Sequence, residues 1–368
     1  MIYRHSPEQV QEYYERIGIN QSALKLILDE GIEMFLSQYP NVIKQNDLYY
    51  EEKKHFVIGS AVDTHMTHGE DIFKAKYHLS ELTKKPGDKA MSVIKLAFDK
   101  ANQNFPAGVD ADMKLYRSEV YEACNDQTFY MNRVNKEGNA NLDTRIDTLL
   151  KDNGNAYWYD LIRAGDKQIL SDSERTLIDS IIMSLTTHSH TAHLFKDSDD
   201  VDIVYQFPLY WVYDNVDCKG LIDIIIINHT QKRILPIDLK TIGDFVTKFN
   251  RAIKKRRYDI QASFYSYGLT QCTNELSTLI GKSLTGYTMA NFAFIVESTI
   301  KPGCPLVFPL TTELLEVGSK GDEKSQGWHQ GIQLFKEWSK VDFQLEKRFG
   351  ENNGVLFVDS DYNYLINF

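Results

Sequence analysis

Apolar positions along the chain recur at two different periods, and the place where the period changes organises the reading. Up to about Leu170 they fall at offsets of three and four, the helical repeat, with polar connections between. Asn20-Gln21-Ser22-Ala23-Leu24 reads as a capped helix start, with Leu24, Ile27 and Leu28 on one face. Ile58, Ala61, Val62, His65 and Met66 share one face of another helix. Lys84-Lys85-Pro86-Gly87-Asp88 and Lys151-Asp152-Asn153-Gly154-Asn155 read as loops. From Ser173 the pattern becomes more specific. Leu177, Ile178, Ile181, Ile182 and Leu185 predict a helix, and strand-like runs follow at 201–213, 219–227 and 232–241. Asp214-Asn215 and Asn228-His229-Thr230-Gln231 are the turns between them. A basic helical stretch then runs to about Ile280, and the β-branched and aromatic run 287–297 predicts a fourth strand. The expected fold class is therefore α/β. Residues 1–170 form a mainly helical region, 171–300 the α/β core and 301–368 a strand and helix extension, all in one compact unit.

Composition adds a large core and removes several classes. With 42% hydrophobic and 12% aromatic content in 368 residues, the chain has ample material to bury. The four cysteines, Cys124, Cys218, Cys272 and Cys304, form no C-x-x-C pair, so neither a structural zinc site nor an iron–sulfur cluster is expected, and buried reduced thiols fit a cytoplasmic protein. No stretch approaches a membrane span, and Met1-Ile2-Tyr3-Arg4-His5-Ser6-Pro7 lacks the apolar block of a signal peptide.

Charge is unevenly spread. The net value is −10, yet between Lys232 and Arg257 a run that includes Lys248, Arg251, Lys254, Lys255, Arg256 and Arg257 faces only Asp238 and Asp244. A basic surface on an acidic body suits a groove that tracks phosphates, although a solvated helix face would read the same way.

Chemistry concentrates in Gly220-Leu221-Ile222-Asp223 and Pro236-Ile237-Asp238-Leu239-Lys240. Residues two apart on a strand share a face, so Asp238 and Lys240 project together. A tight turn centred on His229-Thr230 would pair Asp223 with Pro236 and Leu221 with Asp238, leaving Asp223 one diagonal step from Asp238 on that same face. Two carboxylates on an otherwise apolar sheet call for a compensating cation, and hard oxygen ligands suit Mg²⁺ or Mn²⁺. An ordinary Asp–Lys ion pair is the alternative for D-x-K taken alone.

Four motifs in order make the pattern specific: His65 within Gly59-Ser60-Ala61-Val62-Asp63-Thr64-His65, the G-x-x-D of Gly220 to Asp223, the D-L-K-T of Asp238 to Thr241, and the Q-x-x-x-Y of Gln261 to Tyr265. In these the chain resembles the RecB-like branch of the PD-(D/E)XK nucleases, most closely the exonuclease VIII (RecE) and lambda exonuclease type. The resemblance spans residues 173–297 and, more weakly, the helix around His65. It implies an αβββαβ core with a central mixed sheet flanked by helices. It also implies hydrolysis of DNA ends with Mg²⁺ or Mn²⁺, in bacterial or phage recombination and DNA processing. Asp223, Asp238 and His65 would be metal ligands, Lys240 the catalytic lysine, and Gln261 and Tyr265 residues that line the site. Expected partners are DNA, further copies of the chain in a ring, and a single-strand annealing protein, in a bacterial cytoplasm.

Some residues depart from the family pattern or stand outside it. Gln206 occupies a position on the first core strand where many relatives carry glutamate, so that a second metal position is impaired, another acid such as Glu119 supplies it, or that glutamate is dispensable. His188, His190 and His193 follow a helix with no cysteine or carboxylate at ligand spacing and read as an exposed helix end. Trp328, Phe335 and Trp338 are expected to pack against the core or a neighbouring subunit rather than stack on bases. A CRISPR-adaptation or restriction-type endonuclease, or a non-catalytic DNA-binding or assembly protein of the same fold, remain alternatives.

Overall fold

The computed structural model describes residues 1–38, 54–129, 142–151 and 153–339, with the short pair Phe357–Val358 and Tyr364–Leu365. Its centre is a seven-stranded mixed sheet. Strand β1 (Ile2–Arg4) lies parallel to β2 (Val201–Tyr213), and β2, β3 (Val216–Asn228) and β4 (Arg233–Ile242) follow as an antiparallel meander. The two-residue strand β5 (Thr288–Met289) and then β6 (Ala293–Ser298) run parallel to β4, and β7 (Leu306–Pro309) closes the edge antiparallel to β6. The run expected as one strand over 287–297 is thus broken at 290–292. The strand β1 lies in the region expected to be mainly helical, its three residues being too short to show a period.

Helices cover both faces. On one, α1 (Gln21–Glu30), α2 (Tyr258–Gln271) and α3 (Trp328–Ser339) pack over Leu209, Trp211, Ile225 and Phe294. On the other, α4 (Lys54–His68) and α5 (Asp172–Thr187) cover Ile203, Ile224, Ile237 and Ile295. In chain order α5-β2-β3-β4-α2-β6 is a helix, three strands, a helix and a strand, the αβββαβ order expected. The helix start read at Asn20 carries its cap, Asn20 accepting from the Ala23 amide at 2.9 Å, and α5 begins on a capping box between Ser171 and Glu174.

Packing divides residues 1–170. The parallel pair Tyr77–Leu79 and Gln168–Leu170 frames a helical lobe with its own core around Val93, Val120, Leu149 and Trp158. Gly154 begins a helix in that lobe, so the loop expected at 151–155 is shorter than read. At the other end, Trp328 is 1% exposed in the main core and donates to Ser263 Oγ at 3.0 Å, while Phe335 meets Phe35 edge-on. The side chain of Trp338 lies outside the described set.

The hairpin register differs from expectation. Ile224 pairs with Ile237 and Asn228 with Arg233, so the loop is 229–232 and the register, continued one step past the last pair, sets Asp223 against Asp238 rather than one diagonal step away. The same-face conclusion survives because the shift is two residues, a whole side-chain period. A distortion sits beside it. Gln206 has φ +53°, and the β2–β3 ladder omits the pair Gln206/Asp223. Alternation inverts there on both strands: Val204 and Phe207 face one core and Tyr205 the other, as do Ile222 and Ile225 against Ile224. A left-handed backbone at a non-glycine residue costs on the order of 1–3 kcal/mol, and such costs concentrate at functional sites.

Candidate active site

A cleft of about 740 Å³ opens where the middle of β3 and the C-terminal end of β4 meet α1, α2 and α4. Each wall has a distinct cause. Ile19 bridges to Cys218 on β3, with its amide donating to Asp217 O at 2.9 Å, and the chain then turns through the Asn20 cap into α1. This brings Gln21 and Lys25 to the cleft. Helix α4 contributes Gly59, Ser60 and Asp63. Gly59 permits the approach, since a Cβ there would stand 3.0 Å from Thr241 Oγ1.

The floor holds the residues singled out from the sequence. Asp238 is 3% exposed; its Oδ1 accepts from Gln261 Nε2, and its Oδ2 meets the Lys240 ammonium as an ion pair lacking hydrogen-bond alignment. Asp223 Oδ2 accepts from the Leu239 amide at 2.9 Å. Gln206 Nε2 stands between two carboxylates, 3.4 Å from Asp63 Oδ1 and 3.5 Å from Asp223 Oδ1, both at the outer limit of a hydrogen bond. Tyr265 lies behind this floor rather than on the cleft. Its ring presses on Gly220, where a Cβ would approach to 2.9 Å, and its hydroxyl meets the Leu221 backbone.

Electrostatics follow from crowding. Burial, reinforced by the charge of Asp238, pushes the Asp63 carboxyl up to about 7. Burial and then the charges of Asp238 and Asp63 hold Asp223 well above the usual carboxylate range. Burial opposes the Lys240 charge, but Asp238 and Asp223 more than offset it and raise its pKa. Lys25 is the opposite case: burial first, then the Lys240 charge, lower it to about 7. Both ammonium groups lie over the Tyr258 ring, at 5.4 and 5.5 Å from its centre. Lys25, Asp63 and Lys240 keep some accessible surface, yet protein atoms surround them at the bottom of the cleft.

Two expected site residues lie elsewhere. His65 Nε2 pairs with Glu70 Oε2 at 2.7 Å and its ring packs edge-on against Phe73, in a surface network that reaches Arg175. Two positions from Asp63 on a helix is about 200° around the axis, so the two residues do not point to the same place. Glu119 is in the helical lobe and accepts from Asn104 Nδ2 at 3.0 Å. Asp63 is the acid that reaches the site. Gly59 and Asp63, four apart, were its signal.

The basic run is sorted by the fold. Lys248, Arg251, Lys255 and Arg256 line the cleft, and Lys254 lines an adjoining groove with Arg251 and Lys255. Lys248 also pairs with Asp244 at 2.9 Å. Arg257 does not face the cleft. Its backbone is left-handed at φ +49°, and its guanidinium binds Asp259 at 3.0 Å and Gln326 O at 2.7 Å, joining α2 to the turn before α3.

The donor set fits a hard divalent cation. Asp63, Asp223 and Asp238 are like charges held out of water, which is unfavourable unless a cation joins them. Their oxygens are not gathered to within 4.8 Å of one another, and the Gln206 amide occupies the space between two of them.

The class defined by this architecture is an α/β protein with an αβββαβ core and an acidic, lysine-bearing cleft at its sheet. No family model matches the chain, and no curated protein matches it. Among solved structures, the crystal structure of a protein described as a putative exonuclease from Eubacterium rectale superposes with a TM-score of 0.43. It does so at 11% identity, over 96% of this chain and 88% of that one. A likeness that weak carries no argument about activity. Among the described residues, no helix is long and apolar enough to cross a membrane.

Proposed function

We propose that this chain is a divalent-metal-dependent deoxyribonuclease of the RecB-like PD-(D/E)XK kind, acting on DNA ends. The observation that carries the reading is the meeting of Asp63, Asp223, Asp238, Lys240 and Gln261 at the floor of one cleft whose rim is basic.

Mg²⁺ or Mn²⁺ held by Asp63, Asp223 and Asp238 would supply Lewis-acid polarisation of the scissile phosphate and of the attacking water. The remaining work belongs to the chain. Gln261 and the Leu239 amide fix Asp238 and Asp223 in orientation. Lys240, whose ammonium form the Asp238 and Asp223 carboxylates favour, supplies a positive charge beside the phosphoryl oxygens, where charge grows as the phosphodiester bond breaks. Lys25, with a pKa of about 7, is able to hold or release a proton at neutral pH beside the same Tyr258 ring. Arg251, Lys255 and Arg256 track the phosphate backbone towards the floor. The Gln206 amide, whose Nε2 now faces Asp63 and Asp223, would offer a cation held by these carboxylates a neutral oxygen ligand if its amide were turned over.

Exonuclease action, a ring-shaped homo-oligomer and a single-strand annealing partner extend the proposal on the strength of the family resemblance. Digestion of end-labelled linear DNA beside a closed circle of the same sequence tests the mode. Metal-dependent loss of the linear form alone supports end processing. Equal cutting of the circle favours a restriction-type or CRISPR-adaptation endonuclease, and metal-independent binding with no cleavage of either substrate favours a DNA-binding or assembly role.

A further inference from the structure

Two histidines dismissed on sequence spacing acquire a cysteine in three dimensions. His188, at the C-terminal cap of α5, His190 two residues on, and Cys304, in the loop between β6 and β7, each place a ligand atom within 4.8 Å of the other two. They are the one such trio among the described residues. Cys304 is also the exposed cysteine, whereas Cys124, Cys218 and Cys272 are buried as expected. His193 takes no part in the cluster.

Both segments are held in place by buried groups rather than resting side by side on the surface. Glu297, at the end of β6, is fully buried; its Oε2 accepts from Ser184 Oγ on α5 and from the Gly303 amide at 3.2 Å. One carboxylate thus ties the helix turn before His188 to the residue before Cys304. Thr191, also fully buried, donates through Oγ1 to Leu185 O at 2.7 Å, and its amide donates to His188 O at 3.1 Å, which closes the turn carrying both histidines. His190 Nδ1 contacts Pro305 O at 3.2 Å. A carbonyl can only accept, so this nitrogen carries the proton and the Nε2 lone pair is left for a ligand role, the arrangement found around metal-binding imidazoles.

We infer that His188, His190 and Cys304 form a binding site for a borderline-soft transition-metal ion, Zn²⁺ being the chemical match for two imidazoles and a thiolate. Binding forms one metal–sulfur and two metal–nitrogen bonds and releases the Cys304 thiol proton to solvent. A ring that ligates through one nitrogen keeps a proton on the other. Coordination by His188 therefore replaces the 3.2 Å contact from the His190 amide to its Nδ1. The fourth tetrahedral position is left to water. The site is chemically separate from the carboxylates of the cleft, which favour hard cations, and it joins α5 to a loop that begins at Thr299 on the cleft wall. Zinc would fasten that loop and stiffen one side of the cleft.

The test is a Co²⁺ titration of the full chain, followed by the thiolate-to-cobalt charge-transfer absorption that carboxylate and imidazole ligands do not produce. The expected result is a band saturating at one equivalent and displaced by Zn²⁺. It should be absent in Cys304→Ser, and apparent affinity should fall about tenfold or more in His190→Ala. Cys304 and His190 are exposed, so neither change disturbs the core. No thiolate band in excess cobalt, a band that persists in Cys304→Ser, or unchanged affinity in His190→Ala would each overturn the site.

Discussion

Asp63 is held in the cleft by two long contacts from Gln206 and by no ion pair among the described residues. Its carboxyl is raised from 3.8 to about 7, so the folded protein binds its proton more tightly than the unfolded chain does. The stability this proton confers is complete below about pH 4 and is lost as pH rises through 7. Asp63→Asn should therefore leave metal-free stability almost unchanged at pH 4 and raise it at pH 8, on the order of 2–4 kcal/mol. It should also abolish the stabilisation that Mg²⁺ or Mn²⁺ gives the wild type. Thermal denaturation with chelator and with metal measures both effects, and a variant that melts lower at pH 8 in chelator would show that Asp63 is already compensated. Lys25 titrates in the opposite sense. With its pKa lowered to about 7, it costs stability most below neutrality, and that cost fades as pH rises from 7 towards 10.5.

At the scale of elements, the close approach of α2 to β3 depends on Gly220. Gly220→Ala would drive a methyl to 2.9 Å from the Tyr265 ring, which is 6% exposed and has little room to withdraw. Overpacking of this kind costs about 1–3 kcal/mol, so urea denaturation should shift by that amount; unchanged stability would mean that the helix slides freely. The elements themselves were legible in the sequence where a period ran long enough. Val201–Tyr213 has the bounds read from its alternation, and α5 has the face read from Leu177 to Leu185. Strand β1 was too short to show a period, and the hairpin register depended on a loop length that composition does not fix. The site followed the same rule. Asp238 and Lys240 are neighbours in sequence and were found together, and Gln261 reaches the floor as read, whereas Tyr265, four residues on, packs behind it and Lys25 and Asp63 arrive from distant elements. His65 was misplaced because it shares the apolar face with Ile58, Ala61, Val62 and Met66, and that face packs into the core and away from the cleft.

For the whole molecule, a net charge of −10 opposes DNA, and binding depends on the basic rim of one cleft. Arg251, Lys255 and Arg256 carry no ion pair among the described residues, which leaves them free for phosphate. Arg251→Ala with Lys255→Ala should weaken binding to every sequence alike and lower the salt slope by about 2, near 0.9 per lost phosphate contact. Arg257→Ala should act on stability instead, because it removes a guanidinium that holds Asp259 and Gln326. A salt slope that falls as far in Arg257→Ala as in the double variant would move the DNA path off the cleft.

The central claim is that the cleft floor hydrolyses phosphodiester bonds, and the most direct measurement is cleavage of end-labelled duplex DNA by wild type and Lys240→Ala, with Mg²⁺, with Mn²⁺ and with chelator. Cleavage by the wild type that chelator abolishes, and that falls about 100-fold or more in Lys240→Ala while DNA binding is retained, is the result predicted for a lysine acting mainly on the transition state. Undiminished turnover in Lys240→Ala, or cleavage indifferent to chelator, would contradict it.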